Sequence, residues 1–217
     1  MSEAALHVTS SAPRLEARGL SCIRNEQRLF AGLSFSLDAG EALLIEGRNG
    51  SGKTSLLRVL CGLGLADAGE VYWCDHEVGE HRAEFLARTA YVGHANGIKL
   101  DLTVRENLAF ARSLGRARSL CAIDDALREL GLTRLQDTLC RKLSAGQRRR
   151  TALARLLVLD ARLWLLDEPL TTLDVHSIRQ FETLLQAHLG GGGLLILTTH
   201  RPIDLGTRAV RRISLDT

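Results

Sequence analysis

The sequence predicts an α/β fold of layered elements built on a parallel sheet. Short apolar, strand-like stretches alternate with helical stretches along most of the 217-residue chain, which is typical of parallel strands joined by helical crossovers. The first strand-like stretches follow one another without helices, so we expect a small antiparallel sheet on the N-terminal side. From about Ile98 to Ser144 the pattern is helical throughout, which indicates a helical subdomain inserted in the core.

The individual elements follow from the same apolar pattern. The predicted strands are Arg14–Cys22, Leu33–Leu37, Ala42–Glu46, Glu70–Cys74, Ala90–Gly93, Leu163–Asp167, Leu194–Thr198 and Val210–Leu215. The predicted helices are Lys53–Leu63, Arg105–Leu114, Ile123–Leu130, Gln147–Val158 and Val175–His188. Residues 1–12 are predicted to be a disordered extension, which leaves residues 13–217 as one domain.

Composition and charge argue against several classes of function. The net charge of +3 is too mild to indicate a nucleic-acid or anionic-membrane partner, and only 4% of residues are aromatic. No apolar run approaches the roughly 20 residues of a membrane span, and the first residues lack the pattern of a signal peptide. The five cysteines include no CxxC pair, which fits reduced thiols in a cytosolic protein.

A phosphate-binding pattern follows the predicted strand Ala42–Glu46 and opens a helix. Residues 47–54, Gly-Arg-Asn-Gly-Ser-Gly-Lys-Thr, match G-x-x-x-x-G-K-[ST] in the strand–loop–helix context that the pattern requires. Backbone N–H groups and the helix N-terminus favour an anion there, while Lys53 is predicted to reach phosphate and Thr54 to hold Mg²⁺. The predicted phosphate-binding residues are Gly47, Arg48, Asn49, Gly50, Ser51, Gly52, Lys53, Thr54 and Ser55.

Two adjacent carboxylates end the apolar strand predicted over Leu163–Asp167. Asp167 is placed to support Mg²⁺ beside the phosphate loop. Glu168 points elsewhere, because neighbouring strand residues alternate in direction, and is placed to orient or deprotonate an attacking water. Acids at a strand end are common, but downstream of a phosphate loop they indicate a hydrolytic site.

The segment Leu143–Gln147 has the sequence Leu-Ser-Ala-Gly-Gln and precedes a predicted helix. Ser144 and Gln147 form a capping-box pattern, and Gly146 leaves the first turn uncovered, so its N–H groups could meet an anion. Alone, this would be an ordinary capped helix. Together with the phosphate loop and the acidic strand end, it closely resembles the LSGGQ signature of ABC ATPases, with alanine at the third position.

The resemblance to ABC ATPases covers Arg14 to Leu215 and has several implications. It implies the P-loop NTPase fold of that family, with a RecA-like parallel sheet, an N-terminal antiparallel subdomain and an inserted helical subdomain. It implies hydrolysis of ATP with Mg²⁺ by a head-to-tail homodimer in which Ser144, Gly146 and Gln147 contact the nucleotide of the opposite subunit. Leu173-Asp174 resembles the D-loop, and His200 resembles the switch histidine that contacts the γ-phosphate.

Two positions depart from the family pattern. Arg24 stands where an aromatic residue stacks on adenine, and its guanidinium plane is predicted to stack instead. His94 stands where most members have a glutamine that binds Mg²⁺ and links the site to the membrane partner. We expect His94 to support the metal and the chemistry when neutral and to lower activity in mild acid.

Within the ABC ATPases, this chain closely resembles one subgroup. That subgroup is the ATP-binding subunit of the haem exporter in bacterial cytochrome c maturation. This resemblance implies integral membrane permease partners, a peripheral position on the cytoplasmic face of the inner membrane, and no direct binding of haem or nucleic acid by this chain. The segments that carry it are Leu15–Arg18, Gly93-His94, Gly97–Lys99, Leu102-Thr103, Glu106–Leu108, Leu143–Arg149, Thr198–Pro202 and Arg212–Leu215.

Other functions stay open on the sequence. The chain could energise a different exporter, for lipid, drug or peptide. A soluble ABC clamp on ribosomes or DNA usually needs two ATPase domains or long coiled coils, and neither is present. A small GTPase would need an Asn-Lys-x-Asp motif, which is absent. The run Arg148–Arg150 after the signature is interpreted as a solvated helix face.

Overall fold

The computed structural model of this chain describes residues 12–24, 26–115, 122–207 and 209–216. The predicted extension over residues 1–12 lies outside these ranges except for residue 12. The strands are β1 (Arg14–Arg24), β2 (Gln27–Asp38), β3 (Ala42–Glu46), β4 (Ala68–Trp73), β5 (His76–Glu77), β6 (Thr89–Val92), β7 (Leu163–Asp167), β8 (Leu194–Thr198) and β9 (Val210–Ser214). The α-helices are α1 (Lys53–Leu60), α2 (Arg82–Leu86), α3 (Val104–Leu114), α4 (Ala122–Glu129), α5 (Ala145–Val158) and α6 (Val175–Gly190).

The strands form two sheets of opposite character. An antiparallel sheet has the order β2-β1-β4-β5, and a five-stranded sheet has the order β6-β7-β8-β3-β9 with parallel pairing throughout. The predicted α/β fold with a parallel core and an N-terminal antiparallel sheet is therefore confirmed. The carboxyl ends of β3, β7 and β8 meet at one edge, where Asp167 pairs in register with Thr198.

The central strands are apolar because both faces of the parallel sheet are covered. Every residue of β7 and β8 is buried, as expected for strands with helices or another sheet on each side. Alternate residues enter two different hydrophobic clusters. Leu43 and Leu165 join the cluster that contains α1 and the antiparallel sheet, whereas Leu44 and Leu166 join the cluster that contains α5 and α6.

The segment from residue 98 to 144 is helical in the described ranges. It contains α3, α4 and two short 3-10 helices (Thr133–Leu135 and Cys140–Lys142), with one isolated bridge between Thr103 and Leu139. Its buried residues Leu108 and Leu127 belong to the same hydrophobic cluster as α5 and one face of the parallel sheet. These helices therefore pack into the same hydrophobic core as the parallel sheet. The limits of a helical subdomain at about residues 98 and 144 stay a prediction.

Two short elements between β4 and β6 were not predicted. Cys74 and Asp75 have φ angles of 49° and 67°, and they form a tight turn that leads into the two-residue strand β5. The helix α2 has only five residues, and Phe85 is its one buried side chain. Elements this short carry too little periodicity to be recognised from the sequence.

Two further features concern the chain as a whole. Within the described ranges, no helix has the length and apolar character needed to span a membrane. The cysteines in those ranges, Cys22, Cys61, Cys74 and Cys140, are free. Burial raises the pKa of the Cys61 thiol to about 11, so this thiol stays protonated at neutral pH.

Candidate nucleotide-binding site

The phosphate loop runs from the end of β3 to the start of α1. Gly47, Gly50 and Gly52 have φ angles of 148°, 86° and 102°, a region that favours glycine. A Cβ atom on Gly47 would lie 2.5 Å from Ser51 Oγ, and one on Gly52 would lie 2.9 Å from Leu29 Cβ. The tight curvature of the loop and its contact with Leu29 therefore both require glycine.

The inside of this loop is positively charged. Lys53 is buried, and its Nζ donates hydrogen bonds to the carbonyl oxygens of Gly47, at 2.6 Å, and of Arg48, at 3.0 Å. Ser51 Oγ is buried and has no hydrogen-bond partner in the part of the chain that the structure describes. An ammonium group, an unpaired hydroxyl and the open N-terminus of α1 are complementary to phosphate oxygens, so these residues fit a nucleotide phosphate.

Asp167 stands at the end of β7, between the phosphate loop and β8. Its carboxylate accepts hydrogen bonds from Thr54 Oγ1, at 2.7 Å, and from Thr198 Oγ1, at 2.8 Å, and the residue is buried. Hydroxyl and carboxylate oxygens are ligands that Mg²⁺ prefers, usually completed by water and substrate phosphates. The adjacent oxygens of Thr54 and Asp167 therefore fit a Mg²⁺ ion that also binds a phosphate.

Glu168 has an unusual backbone conformation beside Asp167. Its φ angle is 49°, which is uncommon for a residue other than glycine. Its N–H donates to both the carbonyl oxygen and Oγ1 of Thr198, at 3.2 and 3.0 Å. Its Oε1 is buried, has no hydrogen-bond partner among the described residues and lies 3.4 Å from His200 Nε2. The carboxylate lines the cleft beside His200 and retains an unused hydrogen-bond acceptor.

Several predicted site residues meet around one cleft of about 540 Å³. Both candidate histidines line it, His94 just after β6 and His200 just after β8, and both are solvent-exposed. The other lining residues are Leu29, Asn49, Gly50, Gly52, Lys53, Thr54, Ser55, Asp167, Glu168 and Thr171. Leu29 and Thr171 were not predicted from the sequence, because an apolar strand residue and a loop threonine carry no recognisable motif.

Arg24 does not line this cleft. Its guanidinium group donates to the carbonyl oxygens of Ile23, at 2.9 Å, and Leu65, at 3.3 Å, and lies 3.8 Å from the carboxylate of Asp67. The neighbouring antiparallel sheet contributes Leu29 to the cleft instead. Stacking of Arg24 on adenine stays a prediction, and it requires the side chain to leave these contacts.

The signature residues lie outside the cleft of their own chain. Ser144 caps α5, its Oγ accepts from Gln147 N at 3.2 Å, and Gln147 Oε1 accepts from Ser144 N at 2.8 Å. A Cβ atom on Gly146 would lie 2.8 Å from the carbonyl oxygen of Thr172. The contact with Thr172 within the same chain therefore requires glycine at position 146. Ser144, Gly146 and Gln147 do not line the cleft that contains Lys53.

The interpretation of Arg148–Arg150 as a solvated face is wrong for Arg149. The residue is 2% exposed, and its guanidinium group donates five hydrogen bonds. Burial lowers the pKa of Arg149, while the charges of Asp167 and Glu168 raise it. The acceptors lie at the end of β7 and in the loops after β6 and β7; they are the carbonyl oxygens of Gly93, Asp167, Glu168 and Pro169 and the side-chain oxygen of Asn96.

The C-terminal end of the described chain also supports the phosphate loop. Asp216 Oδ1 accepts a hydrogen bond from Arg48 N at 2.7 Å, and Leu215 N donates to the carbonyl oxygen of Glu46 at 3.0 Å. This contact was not predicted, since 168 residues separate Arg48 from Asp216. It fixes the first part of the loop, while the part near Lys53 stays open to the cleft.

The cleft thus combines a phosphate loop, a pair of oxygens suited to Mg²⁺, and a carboxylate with a free oxygen. These groups can hold a nucleoside triphosphate and activate a water molecule for transfer of its terminal phosphoryl group. The fold and the cleft together define a nucleotide-binding domain of the P-loop NTPase class.

Comparisons with known proteins identify the family. A family model described as ABC transporter matches residues 30–171. The cytochrome c biogenesis ATP-binding export protein CcmA of Aliivibrio fischeri is 43% identical over 201 residues, which cover 93% of this chain and 98% of that protein. The protein of the same name from Nitrosomonas europaea is 47% identical over 206 residues, which cover 93% and 95%. The chain therefore belongs to the ABC transporter family and, within it, to the CcmA group of ATP-binding export proteins.

Solved structures show the same fold. The ATP-binding subunit of an ABC transporter superposes with a TM-score of 0.79 at 23% identity, over 86% of this chain and 79% of that one. A bacterial Atm1-family ABC exporter with ATP bound superposes with a TM-score of 0.77 at 23% identity, over 88% of this chain and 35% of that one.

Proposed function

We propose that this chain is the ATP-hydrolysing subunit of a membrane complex that exports haem, or releases haem-loaded chaperone, in cytochrome c maturation. The observation that carries the proposal is the convergence of Lys53, Asp167 and Glu168 on one cleft, in a chain 43–47% identical to CcmA proteins. The cleft supplies the ATPase part of the proposal. The similarity to CcmA proteins, which covers more than nine-tenths of the chain, supports the assignment to cytochrome c maturation.

The chemistry that fits the cleft is in-line transfer of the γ-phosphoryl group to water. The phosphate loop, Gly47–Ser55, holds the phosphates with backbone N–H groups, and Lys53 moves from its loop carbonyls to the β- and γ-phosphates. Thr54 and Asp167, with His94 in the same cleft, would hold Mg²⁺, which would neutralise phosphate charge when bound. Glu168 would orient the attacking water and accept its proton, and His200, whose Nε2 lies 3.4 Å from Glu168 Oε1, would contact the γ-phosphate.

A second copy of the chain completes the proposed site. Ser144, Gly146 and Gln147 lie outside the cleft of their own chain, which supports a role for them at the nucleotide of another subunit. We therefore propose a head-to-tail homodimer that encloses two ATP molecules. Membrane permease subunits would bind this dimer at the cytoplasmic face of the inner membrane, and haem would contact those subunits instead of this chain.

The test is haem staining of c-type cytochromes in cells that lack the gene. Plasmids encoding the wild-type chain, Glu168→Gln or Glu129→Gln would be introduced, and protein levels would be matched by immunoblot. Glu129 is an exposed residue of α4, so its variant makes the same charge change away from the cleft.

The expected result is loss of stain, restored by the wild type and Glu129→Gln but not by Glu168→Gln. Unchanged stain in the deletion strain would remove the cytochrome c proposal and leave an ATPase of another exporter. Rescue by Glu168→Gln would show that the process does not depend on hydrolysis at this cleft.

A further inference from the structure

Arg149 lies in the first turns of α5, in the middle of a run of three arginines, yet its side chain enters the protein interior. Nη2 donates to the carbonyl oxygens of Asp167, at 2.9 Å, and Glu168, at 2.8 Å, and Nε donates to that of Pro169 at 3.1 Å. One guanidinium group therefore binds three consecutive peptide carbonyls at the end of β7. A planar group with donors in fixed directions restricts such a segment strongly.

The third nitrogen of the same group reaches a different loop. Nη1 donates to the carbonyl oxygen of Gly93 at 2.8 Å and to Asn96 Oδ1 at 3.2 Å. His94 lies between these two acceptors in sequence and lines the nucleotide cleft. Arg149 thus connects the backbone around Glu168 with the loop that presents His94.

The backbone of Glu168 needs such support. Its φ angle of 49° is unfavourable for a residue with a side chain and persists only where the surroundings hold it. Thr198 holds the N–H of Glu168, and Arg149 holds its carbonyl oxygen. Loss of the Arg149 contacts would release one side of this conformation and let the carboxylate leave its position beside His200.

The same helix also carries the signature residues. Ser144 caps α5 only five positions before Arg149, so hydrogen-bonded helical backbone connects the two residues. We propose that Arg149 is a positioning residue that aligns Glu168 and the His94 loop for hydrolysis and couples both to the placement of the signature end of α5. The inference rests on the proposed ATPase function, and it adds a role for a residue that never touches the nucleotide.

The experiment compares Arg149→Lys and Arg149→Gln with Arg150→Gln in the full-length chain. Arg150 follows on the same helix, but its side chain donates to the carbonyl oxygens of Leu130 and Gly131, away from the cleft. Steady-state ATP hydrolysis, MgATP affinity and thermal unfolding would be measured for each protein. The same Arg149 changes would be repeated in a Glu168→Gln background, with residual hydrolysis followed by single-turnover phosphate release.

The expected result is a fall in kcat of about tenfold to a hundredfold in the Arg149 variants, the scale of a misplacement of about 1 Å, with MgATP affinity within about twofold. Arg150→Gln keeps wild-type kcat. In the Glu168→Gln background the Arg149 changes cause little further loss, because both substitutions remove the same aligned carboxylate.

Three outcomes would overturn the inference. They are wild-type kcat in a folded Arg149→Lys protein, losses that multiply with those of Glu168→Gln, and failure of both Arg149 variants to fold, which would assign Arg149 to stability alone. An inactive wild-type chain would instead contradict the proposed function.

Discussion

The phosphate loop and the signature segment each lead into the N-terminus of a helix, but the two helix ends are built differently. At α1 the N-cap residue is Gly52, no side chain caps the helix, and the free N–H groups face a cleft inside the chain. At α5 the N-cap is Ser144, and a reciprocal capping box with Gln147 already satisfies two backbone N–H groups. The N-terminus of α1 can therefore bind a phosphate in the cleft of its own chain. The N-terminus of α5 lies outside that cleft, and side chains of its own first turn cap it.

The difference between the two helix ends separates the residues that form the cleft from the residues that lie outside it. One chain assembles in its own cleft the groups proposed to hold phosphate, support Mg²⁺ and activate water. The signature end adds nothing to that cleft, and within the chain it instead packs Gly146 against Thr172 and connects through Arg149 to the backbone of Glu168. Variants at the two ends should therefore separate nucleotide binding from turnover.

The largest effect is expected from Glu168→Gln. The substitution keeps the shape of the side chain but removes the base that accepts the proton of water, so kcat should fall about 100- to 10,000-fold. MgATP affinity should stay within about threefold, because Glu168 does not belong to the phosphate loop. Steady-state phosphate release and equilibrium nucleotide binding measure the two quantities, and turnover within a factor of two of wild type would remove Glu168 from catalysis.

Gly146→Ala probes the other helix end. The new Cβ would lie 2.8 Å from the carbonyl oxygen of Thr172, so the start of α5 has to shift. We expect kcat to fall about tenfold with unchanged MgATP affinity of the single chain, since misplacements below 1 Å already reduce turnover. Gly191→Ala is the control, because its Cβ would meet its nearest neighbours at an ordinary 3.5 Å. Equal kcat in the Gly146→Ala and Gly191→Ala variants would show that the position of the signature end does not affect catalysis.

His94→Gln tests the pH dependence of the cleft. Histidine gains a positive charge in mild acid, and an imidazolium beside the Mg²⁺ position can neither accept a hydrogen bond nor ligate the metal. Wild-type kcat should therefore decline several-fold from pH 7.5 to pH 6, with a smaller decline in His94→Gln. His81→Gln, which changes a histidine outside the cleft, should keep the wild-type profile. If kcat fell equally in acid in all three proteins, His94 would not be responsible for the decline.

The smallest effect is expected from Arg24→Ala. If Arg24 leaves Leu65 and stacks on adenine, its removal costs about 0.5–1 kcal/mol of binding, equivalent to an affinity loss of about two- to fivefold. Isothermal titration with ATP and GTP would show this loss and any change in base preference. Unchanged affinity would leave Arg24 as a residue that fixes the segment near Leu65.

The architecture and the central residues of the cleft could be predicted from the sequence alone. The buried strands β3, β7 and β8 and the start of α1 were predicted with the bounds that the structure has, because each is an unbroken apolar run or a motif with a fixed context. Local order along the chain was also enough to predict that Lys53, Thr54, Asp167 and Glu168 would share a site, and the structure brings them together. Such features depend on neighbours in sequence or on the register of a parallel sheet.

The contacts between distant segments could not be predicted from the sequence, because they depend on how the folded chain brings those segments together. Leu29 closes over Gly52, Asp216 supports the loop at Arg48, and Arg149 turns inward to five oxygen atoms. No local pattern distinguishes Arg149 from the arginines on either side of it, because burial of a side chain depends on what other segments place around the helix. The motifs were therefore enough to predict which groups line the cleft, while the packing of loops far apart in the chain determines how those groups are held.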